Sequence, residues 1–382
     1  MVGPETLTRN QLRHQAAFAA KILKHLSEDD YNQFERLGRF CTLADLSTDR
    51  LHSYEDIFTE LHSTLLPRFR EQLIGLAEAV CISDAVLENP APTLKLVIEM
   101  VPKLQLTLDR IVRVIDDVIP GQLLESNRTN DQHFGQFKTY RLCGLANTVR
   151  QDMDTENYTI LMDFSQLIET VTVQEDHQSS ERPQFVNPLE KIGDALDIID
   201  TAIRWSKGSE LHIIHHYWQA NLISVDETLF SLLIRAHPRC EHPTQPVAQS
   251  VLPLIKLAKL FFKKFASEGM AKTNVPFCTE MSSDQLALLE KTAKTIDQSV
   301  LDILEYVQRS DANNPDPNIA LSGEVKKLVS QFQYCLLLVD LYIVPLLAEI
   351  NVGQSHTYFK TWIVTWNTLF SHAAHNAIQA CQ

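Results

Sequence analysis

The stretch from Leu94 to Val118 is the sequence feature that most limits how this chain can fold. Its apolar residues recur at steps of three and four without interruption, at Leu94, Val97, Val101, Leu104, Leu108, Ile111, Ile115 and Val118. That spacing places them along one side of an α-helix roughly 38 Å long, at about 1.5 Å per residue. A stripe of this length has to be covered by other helices. The sequence therefore predicts a helical bundle.

The same rhythm recurs along the rest of the chain, and no strong strand alternation accompanies it. Its most regular second instance consists of Leu286, Leu289, Ala293, Ile296, Val300, Ile303 and Val307. Glycine, which sheet-rich folds use in tight turns and bulges, accounts for only 11 of 382 residues, about half its usual share of roughly 7%. We therefore predict an all-α fold, built as a two-lobe, multi-helix bundle of long antiparallel amphipathic helices.

The length of the chain predicts more than one hydrophobic core, since single cores stop growing near about 250–300 residues. Residues 174–188 contain charges, two serines and two prolines but no apolar periodicity, which is the composition of a linker. We therefore expect an N-terminal helical bundle over 1–173 and a C-terminal helical bundle over 189–382. In the first bundle, Pro67 and Pro102 predict a kink or a break in their helices.

The segment 322–350 is the most apolar predicted helix. Its middle is apolar over more than half of the helix circumference, so we place it at the centre of the second lobe. The most apolar run within it, residues 335–348, is 14 residues long and includes Asp340 and Pro345. That run is shorter than the roughly 18–20 residues needed to cross a bilayer, and we expect no membrane span.

The charge balance argues against nucleic acid as a partner. The chain has 34 Lys and Arg against 48 Asp and Glu, a formal net charge of −14, which repels phosphate backbones and anionic membranes at long range. The seven cysteines are odd in number and include no Cys-x-x-Cys pair, which is typical of reduced thiols. Because the N-terminus also lacks the apolar core of a signal peptide, we expect a cytoplasmic or nuclear location, or both.

A group of histidines is the part of the sequence that most resembles a metal site. His212, His215 and His216 lie close together, and Cys240 and His242 follow later in the chain. Positions four apart share a helix face, so His212 and His216 could both reach one zinc ion. However, a zinc site needs about four well-placed ligands and no His-Glu-x-x-His pattern is present. Buried or interfacial histidines explain the group better, and we predict no metal site.

The motifs of the common enzyme classes are absent from the sequence. There is no GxGxxG or GxxxxGK[ST] phosphate loop, no GxSxG elbow and no paired Glu-x-x-His of the di-iron bundles. Serines, histidines and acids are scattered along the chain, as they are in any helical protein of this size. We predict that the protein is not an enzyme and uses no cofactor.

The basic, aromatic-rich segment 254–272 is the strongest candidate for a binding surface. It contains Lys256, Lys259, Lys263 and Lys264 among three phenylalanines. This pattern is typical of a basic amphipathic helix, which could meet an acidic partner or lipid head groups. The same pattern fits the solvated side of a core helix, which is the commoner case in an acidic protein.

The segment from Val251 to Gln308 resembles a known family. It contains two helical sequences, VLPLIKLAKLFFKKFASEG and SSDQLALLEKTAKTIDQSVLDILEYVQ. Their layout is similar to the C-terminal bundle of the cyclin-D-binding (Grap2 and cyclin-D-interacting) protein family, where a proline-opened helix with a basic middle precedes an acidic-capped amphipathic one. The whole chain also resembles members of large uncharacterised families of plant-pathogenic fungi. The first resemblance implies a nuclear or cytoplasmic helical adaptor without catalytic residues.

These observations favour a non-enzymatic helical adaptor or scaffold. It would bind other proteins through helix faces or through a groove between lobes, because uninterrupted apolar stripes are present and catalytic motifs are not. The alternative is a helical metal-dependent enzyme or small-ligand-binding protein that uses the His212, His215 and His216 segment. Elemental analysis of the purified protein for zinc and iron distinguishes the two hypotheses.

Overall fold

The fold is all-α, as predicted. The computed structural model describes residues 9–29, 40–42, 45–80, 90–123, 128–173, 190, 192–237, 244–270, 275–309, 316–350 and 356–381. Helices dominate these ranges, and the sheet-type pairing within them is an isolated parallel bridge between Phe40 and Gln122. The predicted linker at 174–188 lies outside the described residues.

Residue contacts divide the chain into two compact units, and the first consists of Met1–Asn127 and Arg141–Lys207. Its helices are α1 (Arg9–Asp29), α2 (Thr48–Ser53), α3 (Glu55–Glu60), α4 (Leu66–Val80), α5 (Ala91–Val118), α6 (Thr139–Asn147, from Arg141 onward), α7 (Met153–Val173) and α8 (Gly193–Lys207), with π-helical turns at Leu61–Leu65 and Thr148–Asp152. Helix α5 packs against α1 and α4.

Helix α5 carries the apolar stripe from Leu94 to Val118. All eight of its stripe residues are buried, and each is at most 4% exposed. The break expected at Pro102 is absent, because the helix runs unbroken from Ala91 to Val118. Pro102 lies on the exposed side of the helix, where its ring does not displace a core residue.

In the described residues, two helices change to a π turn one residue before a proline. The turn Leu61–Leu65 precedes Pro67, and the turn Val339–Ile343 precedes Pro345. A proline cannot donate a hydrogen bond to the carbonyl four residues earlier, and its ring collides with that carbonyl. The wider π turn supplies the extra residue that relieves this collision. The disturbance predicted at Pro67 is therefore present as a π turn.

The second unit consists of Arg128–Tyr140 and Gly208–Gln382. It begins with the short 3₁₀ segment Gln132–Phe137. Its helices are α9 (Glu210–Asn221), α10 (Ile223–Arg235), α11 (Gln245–Phe265), α12 (Ser283–Arg309), α13 (Asp316–Leu338), α14 (Val344–Ile350) and α15 (His356–Gln379), with a further π turn at Ala266–Met270 after α11.

Aromatic side chains from α11, α13 and α15 form the core of the second unit. The Phe332 ring lies 5.4 Å from that of Phe261 and 5.0 Å from that of Trp366, and Trp366 stacks on Phe370 at 4.7 Å. The Trp362 ring stacks on Trp366 at 6.4 Å. Trp366 is buried in the core, and Trp362 is half-buried at its edge. Along α12, all seven residues of the second stripe are fully buried.

The described residues cover helix α13 only in part, contrary to the expectation that it lies at the centre of the second lobe. Tyr334 and Leu337 on this helix, and Leu341 in the following π turn, are each more than half exposed. The sequence shows only that apolar residues surround the helix; it does not show which of them find partners. The stretch Asn318–Leu347 is long and apolar enough to cross a membrane, and 39% of its most apolar part is buried. One helix of this length and composition is weak evidence for a membrane span.

The bounds of the two units differ from the division at 174–188 that was expected. Helix α8 belongs to the first unit, since Trp205 on α8 lies directly over Gly144 on α6 and its carbonyl accepts a hydrogen bond of 2.7 Å from Arg141 Nη1. The first unit therefore ends after Lys207. The segment Arg128–Tyr140, assigned to the N-terminal bundle from the sequence, belongs to the second unit.

Candidate functional site

A groove of about 510 Å³ opens on the surface of the second unit between helices α9, α10 and α11. Its volume lies within the roughly 300–1,000 Å³ typical of ligand sites. The lining residues are His215, Trp218, Gln219, Leu222, Ile223, Asp226, Lys259, Phe262, Lys263, Ala266 and Ser267. The groove therefore combines side chains from the histidine segment with two of the lysines singled out in the sequence.

Trp218 and Phe262 form the apolar floor of the groove. Their rings meet edge to face with centroids 4.9 Å apart, which is a favourable geometry for aromatic pairs. The indole Nε1 of Trp218 donates a hydrogen bond of 2.9 Å to the Leu289 carbonyl on α12. Because both rings are almost completely buried, the floor is held in place by the core beneath it.

Charged side chains stand on both walls of the groove. Lys259 on α11 forms an ion pair with Asp226 on α10, and their side chains are 38% and 55% exposed. Lys263 lies one helical turn after Lys259 and is exposed. Within the described part of the chain, Lys263 has no hydrogen-bond or ion-pair partner. The groove thus offers one lysine that is paired and one that is available.

His215 contributes a polar but largely uncharged group to the groove. It is half-buried, and burial lowers the pKa of its imidazole, with a smaller contribution from the neighbouring His212. A lowered pKa favours the neutral ring near pH 7. His215 can therefore donate or accept one hydrogen bond in the groove but adds little positive charge.

Helix α10 continues the groove with an exposed face that is apolar except for Asp226 and Glu227. Ile223 and Phe230 are each 65% exposed, Ile234 is 54% exposed and Leu233 is 41% exposed. Steps of seven and four along the helix place Ile223, Phe230 and Ile234 on one side. Since Ile223 also lines the groove, the α10 face and the groove are continuous. An exposed apolar surface of this kind is typical of a protein interaction site.

The other predicted site residues lie elsewhere. Lys256 is exposed on α11 outside the groove lining. Lys264 lies over the ring of Tyr358, with Nζ 4.7 Å from the centroid and 2.6 Å from the hydroxyl oxygen. His212 and His216 are half-buried on α9 and do not line the groove.

The structure describes only some of the residues that were considered as zinc ligands. Cys240 and His242 lie outside the described residues. Among the residues that are described, no group of three or more His, Cys, Asp or Glu side chains is arranged to hold a metal ion.

A buried polar network in the second unit was missed from the sequence. Lys138 Nζ lies 3.0 Å from Glu210 Oε1 and 3.1 Å from Oε2, donating its hydrogen bond to Oε2, and both side chains are completely buried. The same Nζ donates to the Thr279 carbonyl at 2.6 Å, while the Thr279 N–H and hydroxyl both donate to Glu210 Oε2 at 2.7 Å. Because solvent cannot reach these charges, the network holds the structure together and is not a binding site.

A second carboxylate fastens the same segment to α12. Asp131 Oδ1 accepts a hydrogen bond of 2.8 Å from the Ser283 N–H, and Oδ2 accepts one of 2.8 Å from the Thr139 N–H. Ser283 is the first residue of α12, so the carboxylate lies at the positive end of that helix. Asp131 and Lys138 together explain why Arg128–Tyr140 packs in the second unit.

Asp154 lies in the first turn of helix α7 in the first unit, and its carboxyl has a raised pKa. Burial raises the pKa of Asp154 to about 6, and its Oδ1 is buried without a hydrogen-bond partner in the described residues. In the unfolded chain the same carboxyl has a pKa of about 3.9. The folded state therefore holds this proton more tightly, so the side chain stabilises the fold at low pH and loses that contribution as the pH rises from about 4 to about 6.

We expect Asp154→Asn to stabilise the first unit above about pH 6, by less than about 1 kcal/mol because solvent screens this partly exposed group, and to have little effect near pH 4. Urea unfolding at a series of pH values measures the difference. Asp197→Asn, at an exposed position on α8, is the matched control. A stabilisation by Asp154→Asn that is the same at every pH would contradict the assignment.

Two family models match this chain, both of them domains of unknown function. Residues 209–379 match the domain of unknown function DUF8721, and residues 54–207 match the domain of unknown function DUF8723. Residue 208 alone separates the two matches, and the first structural unit ends at Lys207. Comparison with curated proteins and with solved structures gave no match. The groove and the α10 face both lie within the DUF8721 match.

Proposed function

We propose that this protein is a non-enzymatic helical adaptor, which binds a segment of another protein in the groove and along the exposed face of α10. The observation that carries the proposal is the continuity of these two surfaces through Ile223. The resemblance to the cyclin-D-binding family implies the same kind of role.

The arrangement fits the way in which helical proteins commonly receive a partner. An amphipathic segment lays its apolar side chains into a groove between helices and is anchored where one side chain fills a pocket. Here Trp218 and Phe262 supply the apolar floor. The exposed side chains of Phe230 and Ile234 extend the contact beyond the groove. The polar walls fix the orientation of the bound segment.

We expect Phe230→Asp to weaken partner binding by about tenfold or more without unfolding the protein. The side chain is 65% exposed, so its loss costs little stability, whereas a charge in the centre of an apolar interface typically removes about 1.4 kcal/mol or more of binding free energy. Affinity capture from cell lysate with the wild-type and variant chains, followed by quantitative mass spectrometry, measures the change.

Leu369→Asp is the matched control, because Leu369 is 52% exposed in the same unit and belongs neither to the groove nor to the α10 face. The proposal predicts a partner that the wild-type and Leu369→Asp chains retain and the Phe230→Asp chain loses. Equal recovery by all three chains, or no specific partner combined with turnover of a metabolite, would count against an adaptor.

A further inference from the structure

The groove is a positively charged site on a strongly acidic protein. Its lining contains two lysines, Lys259 and Lys263, against one carboxylate, Asp226. The chain as a whole has a formal net charge of −14. Electrostatic complementarity selects partners and raises their association rates, so this difference in charge favours a partner segment that is itself acidic.

Asp226 already makes the contact that an acidic partner would make. It reaches Lys259 from the opposite wall of the groove, and both side chains are substantially exposed to solvent. Exposed ion pairs of this kind contribute little to stability. An incoming carboxylate can therefore replace Asp226 at low cost, or can pair with Lys263 beside it.

We infer that the groove takes an acidic amphipathic segment of the partner, whose apolar side chains lie on Leu222 and Ile223 above the buried Trp218 and Phe262 rings and whose carboxylates pair with Lys263 and compete with Asp226 for Lys259. This inference rests on the proposed function and adds the chemistry of the partner. Asp226 acts as an internal competitor that lowers the affinity for every acidic segment.

The structure favours a peptide over an anionic membrane as the occupant. The exposed face of α10 carries Asp226 and Glu227 between Ile223 and Phe230. An anionic membrane would cover this whole face and be repelled by both carboxylates, whereas an acidic segment can turn its own carboxylates toward the α11 lysines. A flat membrane also cannot reach the floor of a concave groove. A narrow segment can reach Lys263 and the aromatic floor while it avoids Glu227.

The test is a phage-display selection against the full chain. The random library contains peptides of about 16 residues, so that each can form about four helical turns. We expect the enriched peptides to have net negative charge and apolar residues at steps of three and four. Their binding is then measured with synthetic peptides by fluorescence anisotropy, and it should weaken as the salt concentration rises from about 0.05 M to about 0.5 M.

Three variants locate the contact. Asp226→Asn should tighten binding by about two- to fivefold, because Lys259 loses its internal partner. Lys263→Glu should weaken binding by about fivefold or more, because attraction becomes repulsion. Lys256→Glu is the matched control, since Lys256 is an exposed lysine on the same helix outside the groove, and it should change the affinity by less than about twofold.

The outcomes separate the two proposals. Enriched peptides that are neutral or basic, or acidic peptides whose affinity is unchanged by Asp226→Asn and Lys263→Glu, would overturn this inference and leave the adaptor proposal standing. Failure of the library to enrich any peptide would contradict both. If no peptide is enriched and the chain floats with phosphatidylserine vesicles, the lysines bind a membrane surface. That result would also contradict both the adaptor proposal and this inference.

Discussion

Replacing Lys138 with methionine is expected to lower the free energy of unfolding of the second unit by about 3–5 kcal/mol. The Nζ atom lies 3.0 Å from the Glu210 carboxylate, and neither side chain is exposed to solvent. Methionine has a similar volume but no charge, so the variant leaves the buried Glu210 carboxyl without its cationic partner. Removing one partner of a buried ion pair costs far more than the pair contributes to stability, because the remaining charge loses its compensation.

Urea unfolding followed by circular dichroism, with hydrogen exchange of the amides near Thr279 to assign the transition to the second unit, measures this loss. Lys95→Met is the matched control, since Lys95 and Glu99 form an ion pair of 3.9 Å whose side chains are 76% and 55% exposed. We expect that change to cost less than about 1 kcal/mol. An equal effect of the two substitutions would show that the Lys138 network does not stabilise the unit.

A second variant distinguishes lost charge compensation from lost packing. Glu210→Gln in the Lys138→Met background removes the uncompensated charge, while the amide oxygen can still accept the hydrogen bonds of Thr279. The double variant should recover part of the stability that Lys138→Met loses. If the double variant is no more stable than Lys138→Met, the loss comes from packing and not from a buried charge.

The helices of this protein were predictable because their signal is local. The stripes of α5 and α12 lie at steps of three and four, and every residue of both stripes is buried. Such a pattern indicates which side of a helix is buried, but it does not indicate which other helices pack against that side. Pro67 similarly predicted a disturbance that the structure shows as the π turn Leu61–Leu65.

The buried network was not predictable, because its members are distant in the chain and follow no period. Lys138 and Glu210 are 72 residues apart, and Asp131 and Ser283 are 152 residues apart. An isolated lysine or aspartate in a sequence is normally a surface residue. Only the packing of Arg128–Tyr140 in the second unit reveals that these charges are buried.

Only part of the candidate site was predicted from the sequence. Lys259 and Lys263 lie on the segment singled out as basic and amphipathic, and His215 lies in the histidine group. The apolar face of α10 escaped notice, since a sequence of apolar residues at helical spacing does not tell whether they meet a core or solvent. The exposure of Phe230 and Ile234 is a result of tertiary packing, and it is the property on which the proposed binding surface rests.

Replacing Gly144 with alanine is expected to lower the free energy of unfolding of the first unit by about 1–3 kcal/mol. A Cβ atom at this position would lie 2.3 Å from Cε2 of Trp205 and 2.4 Å from two further atoms of the same ring. The ring has little freedom to retreat, because Trp205 is only 5% exposed and its carbonyl accepts the hydrogen bond from Arg141. Thermal unfolding and urea titration measure the loss.

The sign of this effect makes the test decisive, since in an ordinary helix position glycine to alanine stabilises by about 1 kcal/mol. Gly323→Ala is the matched control, because Gly323 is an exposed helical glycine on α13 and an added Cβ there would have no neighbouring atom within 4 Å, and we expect it to gain that stability. Combining Gly144→Ala with Trp205→Phe replaces the indole with a smaller ring and should abolish the clash. If Gly144→Ala stabilises the protein as Gly323→Ala does, or costs as much with phenylalanine at 205 as with tryptophan, then close packing of Trp205 on α6 is not what holds α8 in the first unit.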